Sequence, residues 1–265
     1  MKVGIFDSGI GGVTVLHELL RVLPRVEYVY YSDSVNNPYG EKSAEEICEL
    51  SARACEYLFK NGCEAIVIAC NTASAQAAEF LRKRFPEVPI VAIEPAYKMV
   101  HDIAPDEPTL VLATRGTLQS EKFARLYHKY DNHQTSLVDC SGLARLIETE
   151  DERLMDFLWV RLGSYHDQVK NVVLGCTHYP LICDEIAEVL GADVRFFNGA
   201  PAVAQHLRDV LVKRKMITED DDLLNDGQVL DEKKDLQAQI KFYDTSERPE
   251  KAERFWGIVG RGDQT

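Results

Sequence analysis

Two cysteines sit where a thiol could do chemistry. Cys70 closes the apolar run 65–69 and opens the turn Asn71-Thr72-Ala73-Ser74, while Cys176 closes 172–174 and opens Thr177-His178-Tyr179-Pro180. A cysteine just before a helix faces the positive end of the helix dipole, which favours thiolate. A thiol titrates near working pH even unperturbed, so modest help makes it a usable base. Two such groups suit proton transfer at carbon with inversion. One base alone returns the proton to the face it left, whereas a thiolate on one face and a thiol on the other can exchange roles with direction.

Other polar residues gather at equivalent places in the pattern. Asp7 and Ser8 end the first apolar run and precede Gly9, Gly11 and Gly12, where the backbone can turn tightly and approach a ligand. The loop is not read as a dinucleotide fingerprint. Thr14 stands where a third glycine belongs, and an aspartate directly before the loop repels a pyrophosphate. His178 lies two residues beyond Cys176, and Glu148 follows the run 143–147; either can orient a neighbouring thiol or relay its proton. Cys70, Cys176 and His178 lack metal-ligand spacing, and neither a pyridoxal phosphate lysine signature nor a phosphate-binding loop is present, so no cofactor and no metal is expected. Cys48, Cys55, Cys63, Cys140 and Cys183 read as packing thiols.

These residues must be positioned by strands. Short β-branched runs at 3–6, 28–31, 65–69, 90–93, 110–113, 136–138, 172–174 and 194–197 alternate with helical patterns. The clearest helix starts at Ser43 with Glu46 completing a capping box, carries Ile47, Leu50, Ala54 and Leu58 on one face, and stops at Gly62. Another runs from Thr72 to about Phe85. The alternation predicts an α/β fold with mainly parallel sheets flanked by helices.

A weak internal repeat divides the chain. The run from Val3 lies on the run from Leu110 at an offset of 107, and the run from Ala65 lies on that from Asn171 at 106. We therefore expect two pseudo-symmetric domains. The first takes residues 1–95 plus 209–265, with a strand at 240–243 and a short helix at 249–255 packing back on it; the second takes 96–208. Ligands bind beyond the carboxyl ends of parallel strands, which would place Asp7, Cys70, Thr114 and Cys176 around one cleft. The acidic stretch 218–235 reads as a solvated connection.

The formal net charge of −13 and pI near 5.0 argue against a nucleic acid or an anionic membrane as partner, and leave an anionic substrate dependent on local donors. No apolar run is long enough for a membrane span, and no leader precedes the first strand, so a cytoplasmic location is expected. Seven cysteines without a disulfide-type spacing fit a reducing compartment.

The chain closely resembles the glutamate racemase family, within the aspartate/glutamate racemase superfamily. The motifs are Phe6-Asp7-Ser8-Gly9-Ile10-Gly11-Gly12, Pro38-Tyr39-Gly40, Ala69-Cys70-Asn71-Thr72-Ala73-Ser74 and Gly175-Cys176-Thr177-His178-Tyr179-Pro180-Leu181, with weaker matches at Thr114-Arg115-Gly116-Thr117, Leu146-Ile147-Glu148 and around Phe242-Tyr243-Asp244-Thr245-Ser246. The resemblance implies cofactor-independent interconversion of L- and D-glutamate in a cleft between the domains, supplying D-glutamate for peptidoglycan, in a homodimer. It implies that Cys70, supported by Asp7, takes the proton from the D-enantiomer. Cys176, supported by His178 and Glu148, would take it from the L-enantiomer. Asp7, Ser8, Tyr39, Gly40, Asn71, Thr72, Thr114, Thr117, Thr177 and His178 would hold the substrate. An aspartate racemase of the same superfamily and a two-lobed amino-acid-binding protein are the alternatives. The sequence departs from the family at Phe197-Asn198-Gly199-Ala200, at Ser34-Val35-Asn36-Asn37 and through the acidic stretch 218–235.

Overall fold

Each expected apolar run becomes a strand, and the central ones of each sheet are buried on both faces, as parallel strands covered by helices must be. The computed structural model describes residues 1–218 and 233–261. Its strands are β1 (Lys2–Asp7), β2 (Glu27–Ser32), β3 (Ala65–Ile68), β4 (Ile90–Ala92), β5 (Thr109–Ala113), β6 (Thr135–Asp139), β7 (Asn171–Gly175), β8 (Arg195–Asn198) and β9 (Ile240–Asp244). Between them run α1 (Val13–Val22), α2 (Ala44–Lys60), α3 (Asn71–Arg84), α4 (Tyr97–Ile103), α5 (Arg115–Leu118), α6 (Glu121–Tyr130), α7 (Leu143–Thr149), α8 (Leu154–Leu162), α9 (Cys183–Leu190), α10 (Ala200–Lys213), α11 (Lys233–Gln239) and α12 (Pro249–Val259). The connection expected over 218–235 lies, from 219 to 232, outside the described residues, and from Lys233 the chain is helical rather than a loop.

Two parallel sheets result, in the orders β4-β3-β1-β2-β9 and β6-β5-β7-β8. Reversed, the second sheet reads β8-β7-β5-β6, the same sequence of equivalents as β4-β3-β1-β2, with β9 added only to the first. The ladder register refines the repeat. Val3 pairs with Ala65 and Thr109 with Asn171, so Val3 corresponds to Thr109 rather than to Leu110, and the offset is 106 for both central strands. Ser8 then corresponds to Thr114, and Cys70 to Cys176.

Helices cover both faces of each sheet. On the first, Leu16 and Leu19 of α1, Leu207 and Leu211 of α10 and Phe255 of α12 pack with Val3 and Ile5, while Leu58 of α2 and Leu81 of α3 pack with Phe6 and Ile68 opposite. On the second, α7, α8 and α9 bury Ile147, Leu158 and Ile186 against Leu110 and Leu112, and Phe123 of α6 and Tyr97 of α4 cover Val111 and Val173. The sequence reading kept 96–208 together. In the structure α10 instead crosses back at Gly199, and its apolar face (Val203, Ala204, Leu207) joins the first core. Apolar spacing cannot tell which of two sheets a helix will cover.

The capping box of α2 forms as expected: Glu46 N–H donates to Ser43 Oγ at 3.2 Å and Ser43 N–H donates to Glu46 Oε2 at 3.0 Å. Gly62, at φ +83°, ends the helix in a conformation that favours glycine. At the other end of the chain, β9 pairs with β2 and α12 returns over it, stacking Phe255 on Phe242 at 4.1 Å and against Tyr30 at 4.9 Å. Phe255 is fully buried, so Phe255→Ala is expected to cost about 3–5 kcal/mol of unfolding free energy. Urea titration checks this; a loss under 1 kcal/mol would mean that α12 is not part of the cooperative core.

Candidate active site

The carboxyl ends of β1, β3, β5 and β7 face one another across the two sheets, and polar residues at or just beyond these ends reach the opposite body. Thr177, after β7, donates its hydroxyl to Asp7 Oδ2 at 3.0 Å, and Gly9 N–H donates to Asp7 Oδ1 at 3.0 Å. Thr72 Oγ1, on α3, lies 2.9 Å from Thr114 Oγ1 and 3.4 Å from Thr117 Oγ1, and the latter two are 3.2 Å apart. Three hydroxyls thus share one point between the bodies. Gly40 is pressed so close to Thr114 that a Cβ would stand 2.8 Å from the threonine's own Cβ. The next residue back, Tyr39, donates its hydroxyl to Asp33 at 2.6 Å.

Cys70 caps the amino end of α3, its sulfur accepting from Ala73 N–H at 3.5 Å, and its thiol donates to Ser8 Oγ at 3.5 Å. Burial pushes this thiol up to about 12, and the charge of Asp7 adds to the rise. Cys55, Cys63, Cys140 and Cys183 are held at about the same value, also chiefly by burial. Acidity therefore does not single out Cys70. What does is its place beside Ser8 and Asp7, as a thiol poised to give a proton.

Cys176 has a different neighbourhood. Its sulfur is 3.8 Å from His178 Nδ1, and His178 Nε2 is 2.8 Å from Glu148 Oε2. Burial opposes a charge on His178, but the contacts with Cys176 and Glu148 outweigh it and hold the imidazole well above its ordinary value. Burial likewise works to raise Glu148, yet His178 and Lys251 bring it down to about 2. The histidine is a cation facing sulfur, and the carboxylate behind it is ionised. That arrangement sets a positive charge and a proton donor against the Cys176 sulfur.

The glycine loop fits this pair. A Cβ on Gly11 would lie 2.5 Å from His178 Nδ1, one on Gly12 would meet the Tyr30 hydroxyl at 2.6 Å, and one on Gly9 would strike the Glu148 carboxylate. Gly9 and Gly11 therefore admit the second body's acid–base pair into the first body's loop, where the sequence predicts only close approach to a ligand.

The structure places Asp7, Ser8, Cys70, Cys176, Thr177, His178 and Glu148 in one neighbourhood, and Thr72, Thr114 and Thr117 with Gly40 in another. Asn71 and Thr117 also line a cavity of about 700 Å³ between the bodies that carries Arg82, Lys98, Lys122, Arg125 and Lys129. Asn71 Oδ1 is buried without a partner, an acceptor suited to a cationic group. Sequence reasoning missed Asn37 and Lys251, each 2.7 Å from Glu148. Asn37 left a trace as an unusual residue before Pro38, whereas Lys251 lies in an ordinary amphipathic helix and left none. Among the described residues, no three His, Cys, Asp or Glu side chains are grouped to hold a metal ion, and no helix is long and apolar enough to cross a membrane.

Two doubly wound sheets with facing strand ends, and a cysteine at the equivalent position of each, define a two-bodied α/β racemase. A family model described as Asp/Glu/Hydantoin racemase matches residues 14–207, and the chain belongs to that family. The glutamate racemase of Clostridium perfringens (strain SM101 / Type A) is 41% identical over 222 residues, spanning 82% of this chain and 85% of its own. Among solved structures, Escherichia coli glutamate racemase in complex with L-glutamate and activator UDP-MurNAc-ala is similar at a TM-score of 0.78 and 29% identity, over 98% of this chain and 94% of that one. Glutamate racemase from Francisella tularensis in complex with D-glutamate reaches 0.76 at 26% identity, over 100% of this chain and 95% of that one.

Two outcomes follow. Gly11→Ala drives a methyl into an imidazole whose far nitrogen is already engaged, so activity is expected to fall by up to about a hundredfold, the order of loss for a shift near 1 Å. Unimpaired turnover in a steady-state assay would show that the ring position is not critical. Separately, burial raises Asp7 from 3.8 to about 6, with the charge of His178 the main opposing effect. The protonated form is therefore favoured in the folded state. Asp7 contributes stability below about pH 4 that is lost as pH rises through about 6. Relative to wild type, Asp7→Asn should gain on the order of 2–3 kcal/mol between pH 4 and 7. Urea midpoints across that range test it, and parallel curves would contradict it.

Proposed function

We propose that the chain interconverts L- and D-glutamate without a cofactor, moving the α-proton between two cysteines on opposite faces of the substrate, and supplies D-glutamate for peptidoglycan. The observation that supports this best is the unequal pair at equivalent strand ends. Cys176 faces the His178 cation at 3.8 Å and is placed as the base, while Cys70 is a buried thiol beside Ser8 and Asp7. In that charge state Cys176 lifts the proton from the L-enantiomer and Cys70 delivers one to the other face; from the D-enantiomer the roles exchange. His178 and Glu148 support Cys176, and Asp7 supports Cys70. The hydroxyls of Ser8, Thr72, Thr114, Thr117 and Thr177 and the residues Tyr39, Gly40 and Asn71 hold the carboxylates and amine, providing the local donors that an acidic chain needs for an anionic substrate. Glutamate, rather than aspartate, rests on the relatives' named substrate and on the Pro38-Tyr39-Gly40 motif.

The proposal includes the division of the chain into two domains and a homodimer, the latter from the resemblance and open to light scattering. It also includes a cytoplasmic location, in keeping with seven free cysteines. The decisive variants are Cys70→Ser and Cys176→Ser. Each is expected to lower racemisation of glutamate, followed by circular dichroism, by on the order of 10²–10⁴ while leaving the thermal melt intact. Full activity in either removes that thiol from the mechanism, and wild-type turnover of aspartate with none of glutamate reassigns the substrate.

A further inference from the structure

Glu148 belongs to the second body, but much of what holds it comes from the first. Lys251 Nζ, on α12, stands 2.7 Å from Oε1, and Asn37 Nδ2, in the loop before Pro38, donates to Oε2 at 2.7 Å, the oxygen that also meets His178. The Glu148 side chain is 3% exposed and that of Lys251 20%, so this contact is largely shielded from solvent. A second contact keeps α12 in place: Arg254, one turn after Lys251, donates to the carbonyl of Ile147 and pairs with Glu150 at 3.1 Å.

We propose that Lys251 is a positioning residue for proton transfer at Cys176, gripping Glu148 together with Asn37 so that the His178 imidazole is aimed at the sulfur only when α12 and the two bodies are docked. This rests on the reading of Cys176, His178 and Glu148 given above. A carboxylate this deeply buried needs its remaining lone pairs satisfied to stay ionised and fixed. His178 binds one oxygen. Without Lys251 the other oxygen loses its charged donor, and the carboxylate can rotate or take up a proton. Either change moves the imidazole or weakens its charge, and the effect falls first on Cys176, which His178 contacts directly; Cys70 is reached only at one remove, through Asp7. The titratable and charged groups around the carboxylate are His178 and Cys176 from the β7 turn, Asp7 from β1, Tyr30 from β2, Glu150 from the end of α7, and Lys251 and Arg254 from α12.

L- and D-glutamate are equal in free energy, so kcat/KM is the same in both directions for every variant, and a one-sided defect cannot show there. It shows in the primary isotope effect. With α-deuterated L-glutamate the deuteron is lifted by Cys176, and with α-deuterated D-glutamate by Cys70. Lys251→Met is expected to lower kcat/KM roughly ten- to a hundredfold. It should also enlarge the isotope effect from the L-enantiomer, shrink that from the D-enantiomer, and move the acid limb of the pH–kcat/KM profile upward. Lys251→Arg, which keeps charge and donors, should recover most of the rate and the wild-type isotope effects. Asn37→Val, which leaves α12 untouched, should shift the two isotope effects in the same senses as Lys251→Met, and it serves should Lys251→Met fail to fold. Isotope effects and pH profile unchanged in both Lys251→Met and Asn37→Val, or Arg no better than Met at position 251, overturns the proposal. Full racemisation by Cys176→Ser, measured beside them, overturns the underlying reading instead.

Discussion

Inverting a carbon acid needs a proton acceptor on one face and a donor on the other, and a single α/β unit offers functional groups along one edge only. Two units facing each other at their carboxyl edges meet this requirement, and much of the molecule follows from it. The register that makes Ser8 equivalent to Thr114 and Cys70 to Cys176 places like positions of the repeat at the carboxyl edges of the two sheets. Cross-body contacts then close the arrangement: Thr177 to Asp7, Thr72 to Thr114, and Glu148 to both Asn37 and Lys251.

Within that symmetric frame the electrostatics are not symmetric. Desolvation pushes each buried group toward its neutral form, and the outcome depends on what opposes it. At Asp7 and Cys70 burial wins, giving a carboxyl near 6 and a thiol near 12. At His178 and Glu148 mutual pairing and Lys251 win, so both are charged. Cys70 is a buried thiol and the Cys176 sulfur faces a cation, the difference of state that the proposed relay between two like residues uses. The glycine loop makes this possible sterically, because residues 9 and 11 leave no side chain where the second body's carboxylate and imidazole enter.

Much of this was legible in the sequence, for reasons that can be named. Buried parallel strands read as short β-branched runs, so each strand from β1 to β9 falls on an expected run, with ends shifted by a residue or so. Cys70, Cys176, Asp7 and the threonines stand out in the sequence because strand ends are where such folds place chemistry, and the structure sets them at those ends. The one-residue slip in the repeat arose because hydrophobicity alone does not distinguish neighbouring alignments of two apolar runs; only the hydrogen-bond ladder does. The return of α10 to the first core was hidden because its apolar stripe is the same whichever sheet it covers. Lys251 was hidden for a related reason: a lysine on an amphipathic helix is ordinarily a solvated charge, and only the docking of α12 over α7 turns it inward.

The two-base claim is tested most directly by following the first few per cent of turnover in deuterated water, starting from each enantiomer of glutamate. Substrate and product are separated, and the α-position of each is read by mass spectrometry. With separate thiols on the two faces, the product carries solvent deuterium from the first time point while recovered substrate keeps its protium, whichever enantiomer is supplied. Deuterium entering substrate and product together, or protium passing directly from substrate to product, would mean that one group serves both faces, and the mechanism built on Cys70 and Cys176 would be wrong.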